Sequence, residues 1–132
     1  MPAALPVELQ MLVWSVALTV VQMLIAVFTA QGQVGLPPLI GNRESFPELK
    51  GFAGRAQRAH GNMVANLVLF AALALVVAVG GRSNAMTVLG AELFLWARVA
   101  YAVIYLAGIP WARTGAWAVS MVGLVLMFLQ VL

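Results

Sequence analysis

VELQMLVWSVALTVVQMLIAVFTA, residues 7–30, carries a single charged side chain, Glu8, near its start. A helix must supply roughly 20 mostly apolar residues to cross a hydrocarbon core about 30 Å thick. This stretch is therefore long enough to span a bilayer by itself. Residues 61–80, 85–109 and 112–132 have the same character. Transmembrane strands are a poorer reading, because barrel strands alternate over about ten residues and number at least eight, whereas these runs are continuous. The expected fold class is all-α, an integral membrane four-helix bundle, with residues 1–132 forming one transmembrane domain.

Composition leads to the same place. Of the 132 residues, 64% are hydrophobic and 8% charged, against roughly 25% charged in an ordinary soluble domain. A small chain buries a smaller share of its surface than a large one, so lipid must solvate much of this apolar excess. The first segment lacks a basic start and is too long for a signal peptide, so it is expected to remain as a span. Without cysteine there is no disulfide, thiolate metal site or cysteine nucleophile, and any sulfur chemistry needs a bound thiol.

The basic residues are too dispersed for a nucleic-acid surface, and no nucleic-acid partner is expected. Arg43, Lys50, Arg55, Arg58 and Arg113 fall at the end holding the first and third connections, and Arg82 at the other. The positive-inside rule then puts loop 31–54 in the cytoplasm and both termini across the membrane. The expected location is a multi-pass protein of a bacterial inner membrane, in contact with lipid.

Within helix one, Ser15, Thr19, Gln22, Ala26 and Thr29 recur every three or four residues and share one face. That face is expected to look into the bundle as interhelical packing. The first loop, 31–54, contains Pro37, Pro38 and Pro47 among glycines, which punctuate helices. At 80–84 a tight turn offers Ser83 or Asn84 as a helix cap. The connection 108–110 makes the last two helices antiparallel neighbours, and Ala112, Ala116, Ser120 and Gly123 form a small-residue packing stripe. His60 has no partner histidine, no metal site is expected, and its expected role is structural or interfacial. Glu92 lies deep in a helix, poorly placed to pair with Arg98, and is expected to find a partner on a neighbouring helix or subunit.

A charge at the bilayer centre costs about 2.5 to 3.5 kcal/mol, so such groups face protein or a wet cavity. Arg55, Arg58, Asn62 and Asn66 form one stripe of helix two; Arg98, Tyr101 and Tyr105 form one of helix three. Arg113 and Thr114 open helix four at the same edge. These groups would line a cytoplasm-facing pocket rich in guanidinium and phenol donors, which suits an anion such as a carboxylate.

Residues 55–62 (RAQRAHGN) with 66–70 (NLVLF), 96–101 (WARVAY) to Tyr105, and 108–114 (GIPWART) resemble the MAPEG family, membrane-associated proteins in eicosanoid and glutathione metabolism. The resemblance implies a four-helix protomer in a homotrimer that binds glutathione between subunits near the cytoplasmic side. It implies that Arg58 and Asn62 hold the glutathione backbone and carboxylates, and that Tyr101 and Tyr105 contact the tripeptide. Arg113, with Thr114 beside it, would face the sulfur. Taking the spacing and the resemblance together, the expected binding residues are Arg55, Arg58, Asn62, Asn66, Arg98, Tyr101, Tyr105 and Arg113, and the expected catalytic ones Arg113, Thr114 and Tyr105.

The implied activity is a transferase or peroxidase acting on lipophilic electrophiles by thiolate attack. The family pattern has a glutamate three residues after the asparagine, and this chain has Ala65. That departure keeps a second reading open, a non-catalytic or lipid- or anion-binding membrane protein on the same scaffold.

Overall fold

The computed structural model describes residues 3–132. Among them the regular structure is helical: α1 Val7–Val34, α2 Leu36–Ile40, α3 Gly51–Val79, α4 Ala85–Ala107 and α5 Pro110–Val131. All but α2 are long and apolar enough to cross a membrane, which agrees with the four spans read from the sequence.

Two spans run further than their apolar runs. α3 begins at Gly51, not at residue 61, because its first turns are amphipathic: Ala53, Gly54, Ala56 and Ala59 are buried while Gln57 and Arg58 are exposed. α1 continues to Val34 and stops where Gly35 takes a φ of 81°. Pro37 and Pro38 do not exclude helix from the first loop. They stand in the first turn of α2, where a missing N–H costs no hydrogen bond. Gln33 holds the loop ends together, its Nε2 donating to the Lys50 carbonyl at 2.9 Å and its Oε1 accepting from the Lys50 N–H at 2.7 Å.

At the opposite end Asn84, rather than Ser83, caps α4. Its side chain accepts from the N–H groups of Met86 and Thr87, and the Thr87 hydroxyl accepts from the Asn84 N–H, a reciprocal capping box. Ser83 instead donates to Glu8 Oε1 at 2.8 Å, and the Thr87 hydroxyl donates to the same oxygen at 2.5 Å. Glu8 is fully buried, so these bonds fix the start of α1 beside the start of α4 and make the two helices parallel.

α4 and α5 approach most closely at Gly90 and Gly123. A Cβ on either would lie 2.5 Å from the other's carbonyl oxygen. The small stripe of α5 packs as expected from Ala116 inward, with Ser120 and Gly123 buried and Ala112 exposed. Met63 and Phe70 of α3 meet Phe94 of α4 and Met127 of α5 in the main core, where the Phe70 and Phe94 rings stack at 4.3 Å. Ser15 and Gln22 of α1 are buried; Thr19, Ala26 and Thr29 are partly so.

Candidate functional site

The site lies where the start of α3 crosses the end of α4 and the start of α5. The four-residue and three-residue steps of Arg58, Asn62 and Asn66 on α3 and of Arg98, Tyr101 and Tyr105 on α4 turn both stripes toward one another. Arg58 Nε donates to the Tyr105 hydroxyl oxygen at 3.2 Å. From α5, the Arg113 guanidinium lies 4.5 Å from the Tyr105 ring centroid, within cation–π range. Tyr105 thus stands between two cations. Its ring meets Tyr101 edge-on at 5.5 Å, and Ala59 packs against both phenols.

Deeper in, the Arg98 guanidinium covers the Tyr101 ring at 4.1 Å and Nη2 donates to Asn62 Oδ1 at 2.8 Å. Asn66 Nδ2 donates to the Asn62 carbonyl oxygen at 2.8 Å and to its Oδ1 at 3.1 Å. Arg98 is 1% exposed, and its Nε and Nη1 have no hydrogen-bond partner among the described residues. The carboxylates of the chain are Glu8, Glu44, Glu48 and Glu92, and none stands on either stripe. A buried guanidinium that meets an amide instead of a carboxylate is a costly arrangement unless something else supplies negative charge.

Seven of the nine residues singled out from sequence therefore form one connected group: Arg58, Asn62, Asn66, Arg98, Tyr101, Tyr105 and Arg113. The other two are engaged locally. Arg55 Nε donates to the Leu106 carbonyl at 3.2 Å, satisfying one of the free acceptors at the C-terminus of α4. It passes over Gly108, which holds the left-handed C-cap conformation with φ 79°. Thr114 is exposed, and its hydroxyl donates to the Pro110 carbonyl at 3.2 Å. His60 points elsewhere, lining a cavity of about 210 Å³ with Arg43, Phe46 and Gln57 between α1 and α3. Glu92 is exposed on α4, and no partner within the described residues meets it.

Two features were not anticipated. Asn62 is also an acceptor hub, its Oδ1 taking hydrogen bonds from Asn66 Nδ2 and Arg98 Nη2, a role that depends on Arg98 reaching across from α4. Ala59 is the small residue on which the phenols rest; its only sequence signal is that it follows Arg58. The arrangement as a whole is a donor-rich cluster with an exposed guanidinium (Arg58), a half-buried one (Arg113) and a buried one (Arg98), suited to a molecule with more than one anionic group.

A family model described as MAPEG family matches residues 11–132. No curated protein and no solved structure matches the chain.

Proposed function

The chain belongs to the MAPEG family, and from that premise we propose that it is a glutathione-dependent membrane transferase or peroxidase acting on lipophilic electrophiles. The observation that carries the reading is Tyr105 held between Arg58 and Arg113 at the end of the bundle where α3 and α5 begin. The donors present fit the anionic parts of glutathione: Arg58 and Asn62 suit its carboxylates and peptide backbone, and Arg113 suits its sulfur. When bound, glutathione supplies the nucleophile that a chain without cysteine lacks.

A thiol titrates near pH 8.5, and a guanidinium beside it raises the thiolate fraction at neutral pH. Arg113 stands in the first turn of α5, where the helix dipole adds positive potential. The thiolate sulfur gives its electron pair to an electrophilic carbon of the substrate, and the displaced group leaves with the pair of the broken bond. Tyr105, hydrogen-bonded to Arg58, orients the anion at this edge. Substrates reach the site from the bilayer that surrounds the apolar outer faces.

Family membership supports a homotrimer with sites at subunit boundaries, and the basic residues flanking the spans support a cytoplasmic loop 31–54. The exposed face of α3 that includes Gly61, Val64, Ala65 and Val68 is small and apolar enough to pack against another copy. A second reading, anion or lipid binding without catalysis, is favoured by Ala65, which leaves no carboxylate on the α3 stripe to meet the ammonium of glutathione.

The variants Arg58→Ala and Arg113→Ala separate the two readings. Under the enzymatic one, Arg58→Ala raises KM for glutathione by roughly 10-fold to 150-fold, the loss of one charge-assisted contact. Arg113→Ala lowers kcat more than it raises KM. Absence of turnover with model electrophiles, alongside intact anion binding, would leave the non-catalytic reading. A clean monomer in mild detergent at all concentrations would remove the trimer.

A further inference from the structure

Away from the candidate site, α1 and α4 leave an open groove of about 460 Å³ between them, walled by Trp14, Ala17, Leu18 and Val21 of α1 and Leu95 and Trp96 of α4. Its walls are almost wholly apolar, and Trp14 and Trp96 are 61% and 66% exposed. An apolar groove in a membrane span is ordinarily filled by lipid tails. What sets this one apart is Glu92, an exposed carboxylate in the same span.

The helix geometry brings Glu92 to the end of the groove. Leu95 and Trp96 follow it by three and four residues, so their side chains neighbour it on the surface of α4. The parallel pairing of Glu8 with Thr87 sets the level of α1 against α4, and equal rise along both helices brings Glu92 opposite Val13, beside Trp14. Glu92 lies about 10 Å along α4 from Ala85, at 1.5 Å per residue, inside the apolar belt and away from the cytoplasmic cleft.

An ionised group at that depth needs a counter-charge, and the side-chain cations of the described residues stand elsewhere. Arg43 and Lys50 are in the first loop, Arg55, Arg58 and Arg113 at the cytoplasmic ends of α3 and α5, Arg82 in the α3–α4 turn, and Arg98 is buried. Of these, Arg82 stands nearest in depth to Glu92, in the turn before α4. We infer that the α1/α4 groove is a binding site for a lipophilic amine, with its ammonium on Glu92 and its apolar body along Trp14, Leu18 and Trp96. This site is independent of the glutathione reading.

The test uses the full-length protein in phosphatidylcholine vesicles at neutral pH, with three probes of one chain length and one bromine position: an alkylamine, the alcohol and the carboxylic acid. Bromine quenches tryptophan emission on contact. The expected result is saturable quenching by the amine at a concentration about tenfold below that of the alcohol and the acid. Glu92→Gln, an isosteric change at an exposed position, should erase that advantage, and Ala17→Phe, which fills the groove without adding a tryptophan, should lower quenching by all three probes. Equal quenching by the three probes, an amine advantage that survives Glu92→Gln, or no quenching by any probe because another copy covers this face, would each overturn the assignment.

Discussion

Nη2 of Arg98 on α4 donates a 2.8 Å hydrogen bond to Oδ1 of Asn62 on α3, joining the two stripes of the cleft through a side chain that is 1% exposed. The amide is a neutral partner for a buried cation, and two guanidinium nitrogens remain without one among the described residues. Removing the amide and removing the charge should therefore have different consequences. Asn62→Ala strands the cation and is expected to lower stability by about 1.5 to 3 kcal/mol, the value of a hydrogen bond to a charged group. Arg98→Met removes a poorly compensated charge and is expected to leave stability unchanged or raised, while glutathione affinity falls about tenfold or more. Unfolding in mild detergent, paired with equilibrium binding, checks both signs.

Helix contact at Gly90 and Gly123 gives a second prediction. A methyl group at either glycine would press on the opposite carbonyl oxygen at 2.5 Å, closer than van der Waals contact allows, so the helices must separate. Gly90→Ala and Gly123→Ala are each expected to destabilise by about 1 to 3 kcal/mol, the usual cost of overpacking. Gly115→Ala on the same helix as Gly123 meets nothing within 4 Å and should gain up to about 1 kcal/mol from helix propensity. Thermal unfolding of the three variants distinguishes close packing from a general intolerance of α5 to substitution.

The span number and the cleft stripes were legible because both follow from local rules. Twenty apolar residues mark a span regardless of neighbours, and the spacing of Arg58, Asn62 and Asn66 places them together on any α-helix. The pairings between stripes were not legible. Arg55 and Arg58 share a face of α3, yet Arg58 meets Tyr105 while Arg55 caps α4 at Leu106. Which arginine meets which group depends on how far α3 slides along α4, and no periodicity within one helix encodes that. The start of α3 was misplaced for a similar reason: its first turns carry Arg55 and Arg58 beside buried alanines, so they belong to the helix without belonging to the apolar run. The α2 prolines illustrate a third limit, since a residue that ends one helix also begins another.

Orientation in the membrane follows from the charges flanking the spans, and the chain's lack of cysteine makes it directly measurable. Single cysteines replacing Glu48 and Arg82 stand at opposite ends of the bundle, before α3 and after it. With an impermeant maleimide, Glu48→Cys is expected to react only from the cytoplasm and Arg82→Cys only from the opposite side. The reverse pattern would turn the cleft away from cytoplasmic glutathione.

If Arg113 and its neighbours stabilise a bound thiolate, the thiol titration of glutathione on the purified protein reads it. The thiolate absorbs in the ultraviolet, and a free thiol titrates near pH 8.5. Glutathione is expected to bind saturably, with the thiolate band persisting to a pH clearly below that value. In Arg113→Ala the titration should return toward pH 8.5, while Arg58→Ala mainly weakens binding. If the bound thiol titrates at the same pH with and without the Arg113 guanidinium, that residue does not stabilise the thiolate, and the assignment of thiolate chemistry to this cleft is contradicted.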